Sequence, residues 1–498
     1  MARNVFSIAI GNLASKGLGI VRELLFAASF GTGDTAAAFR IAQTGFQLPS
    51  QALVGDALSA GLLPLYRKLS AESKDSARVL VLVACFYGLI FSAVVTILLY
   101  LYSESAARFI APAVEPSVLA VASGLLKVLA LATPFYVLSG TISFVEASFG
   151  SFGAIAWRPV LLNVGSIAGV GLAVLFHVDH WLATAILISH VLFFMWTVLE
   201  LRRLDRLMPE GPIAVTVVRQ IGSRFARNML PLLGLPLIAQ VNVLVERIVS
   251  SWIGTSVIPS VDYSRFIADT TVQLIAMPLG VLTMSKHGGV DTKEARTHIR
   301  DVSATIVLIA FPLAVIISQN AEDIIRTLFA RGAFNEQSIS STADVLRWMG
   351  GALGMTITAY YLVKALNSQL RNVEALMITI AACSANMLVN VLLWRSYGAQ
   401  TVGMAVASYS MVLFTLSFTR LHLWRELGPF LAVVVGCCFV QFVLTRYLAE
   451  GLAYPYGLIA SCVATLVLWG VLSIVVPPLR TAARPVLCRI PVIKSVFR

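Results

Sequence analysis

A helix needs roughly 20 apolar residues to cross a hydrocarbon core about 30 Å thick, and runs of that length recur along the whole of this chain. About fourteen can be placed, approximately at 4–30, 35–64, 78–102, 117–142, 154–176, 181–200, 224–252, 258–284, 301–319, 341–365, 373–394, 398–419, 428–449 and 454–476. Inside lipid each segment must satisfy its own backbone N–H and C=O groups, so such runs fold as helices. The expected fold is an all-α polytopic membrane protein. With 58% hydrophobic and 12% charged residues among 498, the chain is too apolar for a soluble domain of this length. The longest polar connections, about 201–223 and 285–300, are too short to bury a core of their own. The first run continues through Lys16, Arg22 and Glu23 without a small-residue cleavage site, so it reads as a retained helix.

Lys and Arg set the orientation when the spans are threaded alternately from an inside N-terminus. About 25 fall on the inside, among them Arg67, Lys68, Arg202, Arg203, Arg219, Lys293, Arg300, Arg371 and the whole 477–498 tail. About five fall outside: Arg108, Arg326, Arg331, Arg395 and Arg446. Both termini are therefore expected in the cytoplasm. The formal net charge of +12 is mainly a topology signal, and no nucleic-acid partner is needed to explain it. The tail has five basic and no acidic residues and should lie on the anionic inner leaflet. The six cysteines fall in spans or in the tail and offer neither a disulfide framework nor a metal site.

About seven basic residues remain inside the spans: Lys16, Arg22, Arg40, Lys127, Arg247, Arg265 and Arg347. A lipid-facing charge at the bilayer centre costs roughly 2.5–3.5 kcal/mol, so these should face a cavity or one another. Their placement repeats. Arg22 and Glu23 precede Gly31, and Phe39 and Arg40 open the next helix; Glu246 and Arg247 precede Gly254, and Ser264 and Arg265 open the next. Each copy continues to a Gln–Leu and proline cluster, Gln47, Leu48 and Pro49 in one and Gln273, Leu274 and Pro278 in the other. Six spans separate the copies, so the halves share an orientation, as in transporters built from parallel repeats. The organisation that follows is an N-terminal lobe at 1–200, a cytoplasmic linker at 201–223, a second lobe at 224–421, two further helices within 422–476 and the basic tail.

Adjacent residues on a helix point about 100° apart, so Arg22 and Glu23 are each expected to seek a partner elsewhere. The alternative is that Arg22, Glu23, Glu246 and Arg247 are structural pairs that neutralise each other. Lys16, Arg22 and Arg40 outweigh Glu23 and Asp56 in the first two spans, a field suited to an anion such as pyrophosphate. Asn242, Glu246, Asn386 and Asn390 could offer oxygens to a sodium ion between the seventh and eleventh spans, although interhelical hydrogen bonds are the commoner use of such residues. His177, Asp179 and His180 form the densest group of potential ligands and read as a solvated turn rather than a metal or enzyme site.

At these residues the chain resembles the MurJ (MviN) family of the MOP superfamily, transporters that flip lipid II, the undecaprenyl-pyrophosphate-linked precursor of peptidoglycan. The resemblance rests on Gly19, Arg22, Glu23, Gly31, Gly33, Ala38, Phe39, Leu48, Pro49, Ala57, Leu58, Ser59 and Pro64 in the first half. In the second it rests on Glu246, Arg247, Tyr263, Ser264, Arg265, Pro278, Leu279 and Gly280. The stretch Leu328 to Phe334 is similar to the family's LFxRGxF signature. The resemblance implies two six-helix lobes around a cationic cavity and two C-terminal helices that help accommodate a polyprenyl tail. It also implies that Arg22, Arg247 and Arg265 match basic positions of that cavity, with Lys16 in place of an arginine. No enzyme activity and no bound cofactor are implied; coupling would come from the membrane potential, Na⁺ or H⁺. Other cell-envelope biosynthesis proteins would be the partners, in a bacterial inner membrane. Two places depart from the family pattern: Ala37 replaces an acidic residue, and Ser50, Gln51 and Ala52 stand where arginines usually follow Leu–Pro. A flippase for an exopolysaccharide, capsule or O-antigen precursor would keep the pyrophosphate site and alter the sugar contacts. A cation-coupled drug antiporter of the related MATE type is the other alternative, and the basic cavity speaks against it.

Overall fold

A computed structural model describes residues 2–54, 56–148, 153–203, 214–287 and 293–487. Among them are twenty-one α-helices and no strand. The first half contains α1 (Ala2–Phe30), α2 (Asp34–Val54), α3 (Asp56–Glu72), α4 (Lys74–Leu101), α5 (Ser103–Ile110), α6 (Pro116–Ala130), α7 (Thr133–Ser148), α8 (Gly153–Phe176) and α9 (His180–Arg203). After α10 (Val215–Met229) and a 3₁₀ turn at Leu230–Leu233, a similar order returns. It runs α11 (Gly234–Ile253), α12 (Val257–His287), α13 (Lys293–Gln319), α14 (Ala321–Phe329), α15 (Glu336–Gly351), α16 (Leu353–Ser368), α17 (Asn372–Tyr397) and α18 (Gln400–Arg420). α19 (Trp424–Ala449), α20 (Tyr456–Val475) and α21 (Pro477–Leu487) complete the chain. The repeat is visible in lengths as well as order. α4 has 28 residues and is followed by α5 of 8, as α13 has 27 and is followed by α14 of 9. Each short helix leads into a pair of helices joined end to end, α6–α7 and α15–α16.

Eight described helices are long and apolar enough to cross a membrane, and nine spans result if α6 and α7, bent by 44°, count as one. Several apolar runs that look continuous in sequence are broken. Pro134 stands at the second position of α7, where its ring and missing N–H prevent α6 from continuing. Pro231 lies in the 3₁₀ turn between α10 and α11. The α15–α16 junction follows Gly350 and Gly351; a Cβ on Gly350 would come within 2.7 Å of Ile317.

Contacts divide the chain into two compact units, Met1–Pro259 with Arg331–Asn335, and Ser260–Ala330 with Glu336–Arg498. In the first unit, Leu58, Leu62, Tyr66, Leu80, Val137 and Leu201 form a core that α10 joins through Ile221, Phe225 and Met229. On the other side of α10, Arg219, Arg224 and Arg227 are exposed. In the second unit, buried Gln441 on α19 donates to the Pro312 carbonyl of α13 at 3.0 Å and to Thr465 of α20 at 3.1 Å, and accepts from Trp469 at 2.8 Å. Thr445 donates to Gln319 at 2.6 Å one turn further on. This network ties α13, α19 and α20 together with every polar atom of the Gln441 amide engaged.

The segment 331–335, inside the signature-like stretch, is held at the end of α1. Gly31 (φ +54°) closes α1 in the left-handed region, and Gly332 (φ +57°) lies opposite. The Ala333 N–H donates to the Ala28 carbonyl at 2.8 Å. A Cβ on Gly332 would run into that carbonyl, and one on Gly31 into the carbonyl of Ala333. The flanks of the segment are clamped by Arg326, which donates to both carboxylate oxygens of Glu336 at 2.6 and 2.7 Å. Those hydrogen bonds hold the Glu336 carboxyl below its ordinary range, so the clamp is present at neutral pH and is lost only as pH falls through that lowered value. Gly332→Ala should therefore lower stability by about 1–2 kcal/mol from backbone strain alone, more with the clash. Gly171→Ala, where nothing lies within 4 Å of the added methyl, should be neutral or stabilising; thermal unfolding of the two variants in detergent makes the comparison.

Candidate functional site

α1 delivers Arg22 and Glu23 to the interior of the first unit, and α2 delivers Arg40. Glu23 is 3% exposed and lies between two guanidinium groups, accepting from Arg22 on one oxygen at 2.7 Å and from Arg40 on the other at 2.5 Å. The expectation that Arg22 and Glu23 each find a partner elsewhere is met by Asn163 and Arg40, but the two also bond to each other, which the sequence reading did not anticipate. Their Cβ directions diverge, but the long arginine stem brings the guanidinium back to the neighbouring carboxylate.

The three members differ in access. Arg40 is buried; it stacks over Phe26 with its guanidinium carbon 4.8 Å from the ring centre and donates to Gln43 at 3.2 Å. The Arg22 side chain keeps 30% of its surface exposed against 8% for Arg40. Its other nitrogen, Nη1, donates to Asn163 Oδ1 at 2.9 Å, and Asn163 Nδ2 donates to the Ser15 carbonyl at 2.9 Å. Asn163 thus fixes the direction in which Arg22 points, and Glu23 neutralises one of the two positive charges. One net positive charge remains, with Arg22 as its accessible part. These side chains, with Phe39, Gln43 and Ser166 among others, border a small cavity of about 20 Å³, room for about one water molecule in this conformation.

Arg247, on α11 in the same unit, is built differently. It is 6% exposed, donating from Nε to Thr44 at 3.1 Å and from Nη1 to the Ile258 carbonyl at 3.1 Å. Thr44 in turn donates to the Arg40 carbonyl at 2.8 Å, so one hydroxyl links the two arginine-bearing helices. Glu246 beside Arg247 is 1% exposed. Lys16 on α1 and Arg265 on α12 are each half-buried, and Arg265 belongs to the second unit. The repeated arginines have therefore exchanged roles. In the first copy the earlier one is accessible and the later one buried; in the second copy the earlier one is buried and the later one partly exposed.

Of the residues considered for sodium, Asn390 donates to Asn386 at 3.0 Å on α17, while Asn242 lies on α11 of the first unit. Among the described residues no group of three or more His, Cys, Asp or Glu is placed to hold a metal. Asn163, Gln43 and Thr44 were not singled out in the sequence. Asn163 is the lone amide in an otherwise apolar run, and a lone amide in a span faces the protein interior. That was a usable signal for its burial, though not for its partner.

The family described as lipid II flippase MurJ matches residues 26–468. A probable lipid II flippase MurJ from Rhizobium tropici is 26% identical over 470 residues, covering 86% of this chain and 82% of the relative. A lipid II flippase MurJ from Burkholderia cenocepacia is 25% identical over 388 residues, covering 71% of each. Among solved structures, a lipid II flippase MurJ in an inward closed conformation superposes with a TM-score of 0.82 at 18% identity, covering 94% of this chain and 97% of that one. An inward-facing multidrug resistance MATE family transporter of the MOP superfamily gives 0.66 at 15% identity, covering 84% and 96%. The structural likenesses establish the fold: the chain shares the all-helical architecture of those two proteins.

The geometry separates three substitutions. Glu23→Gln leaves two cations with no counter-charge and should cost about 3–5 kcal/mol, enough to lose most of the folded protein. Arg22→Ala keeps the Glu23–Arg40 pair and should fold. Asn163→Ala removes one hydrogen bond to Arg22 and should cost about 0.5–1.5 kcal/mol. Yield of monodisperse protein and thermal unfolding of each variant in detergent measure this order.

Proposed function

The chain belongs to the MurJ family of lipid II flippases, and we propose that it carries the pyrophosphate-linked saccharide head of lipid II from the inner to the outer leaflet of a bacterial cytoplasmic membrane. The observation that carries this reading is the arginine–carboxylate–arginine group at Glu23. It presents one partly exposed guanidinium, oriented by Asn163, on a charge that is otherwise internally compensated. Guanidinium is planar, permanently charged and suited to bidentate contact with phosphate oxygens.

The polyprenyl tail stays in the bilayer, since burying each CH₂ is worth about 0.8 kcal/mol, and only the head needs a protected route. In this mechanism Arg22, with Lys16 of the same helix as a further cationic contact, receives the pyrophosphate from the cytoplasmic side. Arg40 and Arg247, already engaged with protein groups, hold the frame. Alternating access then exposes the head to the outer side. With both termini in the cytoplasm, as the Lys and Arg bias indicates, an inside-negative potential favours outward movement of an anion by about 2.3 kcal/mol per charge per 100 mV. The same basic groups disfavour the cationic drugs that a MATE-type antiporter exports.

Controlled depletion of the protein in its native host, followed by mass spectrometry of undecaprenyl-linked lipids, tests the reading. Lipid II should accumulate, be cleared by the wild-type gene and not be cleared by Arg22→Ala expressed at equal level. Loss of one charge-assisted contact worth about 1.5–3 kcal/mol corresponds to a flipping rate lower by about tenfold or more. Accumulation of another lipid-linked oligosaccharide would reassign the substrate to the exopolysaccharide, capsule or O-antigen class, and no change in any such lipid would refute the flippase reading.

A further inference from the structure

The seam between α7 and α9 in the first unit holds two buried ionisable side chains that the pyrophosphate site does not use. His190 of α9 packs against Tyr136 of α7, ring centres 5.4 Å apart, and its Nδ1 is buried without a hydrogen-bond partner. About ten residues further along both helices, a rise of about 15 Å, Glu146 of α7 meets the field of Glu200 of α9. Glu146 is 0% exposed, and neither carboxylate oxygen has a hydrogen-bond partner among the described residues.

The contrast with Glu23 is chemical. Glu23 is buried as deeply, but two arginines compensate its charge. An ionised carboxylate at Glu146 would face the cost of leaving water with nothing to offset it and a like charge nearby, whereas a carboxylic acid faces only the far smaller cost of a neutral polar group. Cations on the neighbouring helices are committed elsewhere or exposed. Arg78 of α4 pairs with Asp75 at 3.2 Å, Arg40 of α2 with Glu23, and Arg203 of α9 with Glu200 at 3.8 Å. Arg158 of α8 sits over the rings of Tyr136 and Phe193 at 4.5 and 5.8 Å. On α3, Arg67 and Lys68 are exposed, and the side chain of Asp56 lies outside the described residues. A metal cation does not fit in place of a proton. Hard cations require several oxygen ligands, and among the described residues no group bonds to the carboxyl.

We propose that Glu146 is a proton-loading site through which flipping is coupled to protons. The carboxyl holds a proton while the α7–α9 seam is closed. It takes that proton from outside water in the outward-open state and releases it to cytoplasmic water when the cycle hydrates the seam from the inside, so one proton crosses per turn. The step is Glu–COOH to Glu–COO⁻ plus H⁺, with bulk water as donor and acceptor, and protons move inward as the head group moves outward. This inference rests on the flippase reading and adds to it a coupling ion and its site.

Two measurements test it. The first needs no substrate: infrared difference spectra of the protein reconstituted in liposomes should show a protonated-carboxyl C=O band at neutral pH that is absent in Glu146→Gln and retained, shifted, in Glu146→Asp. A band unchanged in Glu146→Gln, or no such band in the wild type, overturns the proposal. The second uses proteoliposomes containing lipid II with the potential clamped. An inward-directed gradient of one pH unit should accelerate wild-type flipping by up to about tenfold, the ratio of proton activities, and leave Glu146→Gln unaffected. Wild-type flipping that ignores the gradient sinks the coupling but leaves the flippase reading intact. Failure of the wild type to flip lipid II at all sinks the flippase reading, and the infrared band still decides whether Glu146 holds a proton.

Discussion

A carboxylate enclosed by apolar helices persists only where positive charge surrounds it, and in this chain that condition is met at Glu23. Its two oxygens are each claimed by a different arginine, one from its own helix and one from the next. The rest of the site follows from that pairing. Arg40 is drawn inward and stacked on Phe26, so it is withdrawn from solvent. Arg22 is anchored at one nitrogen and steered at the other by Asn163, so it keeps a partly exposed face. The Arg40 backbone carbonyl fixes Thr44, and Thr44 receives Arg247. One buried anion thus sets the positions of three cations.

Lipid makes such arrangements more consequential than they would be in water. The desolvation cost that forbids unpaired charges also makes each pairing specific, because a group placed wrongly finds no solvent to compensate it. The buried polar atoms fall into two kinds here. Gln441, with its donors and acceptors all engaged, fastens α13, α19 and α20 into one body. Glu146 and Asn390 retain oxygens with no partner among the described residues, and polar groups left in that condition are where a protein can exchange protons or rearrange at low cost.

Much of this was legible in the residues themselves. The recurrence of apolar runs required an all-helical membrane protein, and the matching placement of Arg22, Glu23, Gly31 and Arg40 with Glu246, Arg247, Gly254 and Arg265 exposed an internal repeat that helix lengths α4–α5 and α13–α14 also display. Hydropathy does not register direction, however, so the breaks between α6 and α7 and between α15 and α16 were hidden inside continuous apolar runs, although Pro134 and the Gly350–Gly351 pair mark them. That Arg22 and Glu23 would each have a further partner was legible, but their bond to each other was missed because backbone periodicity describes where Cβ points and not where a long side chain ends. Partners such as Asn163 for Arg22 and Thr44 for Arg247 are separated by 141 and 203 residues, and no local pattern encodes a meeting at that distance.

The exchange of roles between the repeated arginines has an evolutionary meaning. Two copies of one unit begin as equals, each with an earlier and a later arginine. The earlier arginine of the second copy is held by Thr44 and the Ile258 carbonyl, whereas its counterpart Arg22 keeps a partly exposed face. Duplicated positions can thus come to answer to different demands: Arg247 to the joining of α2 and α11, Arg22 to the cavity it borders.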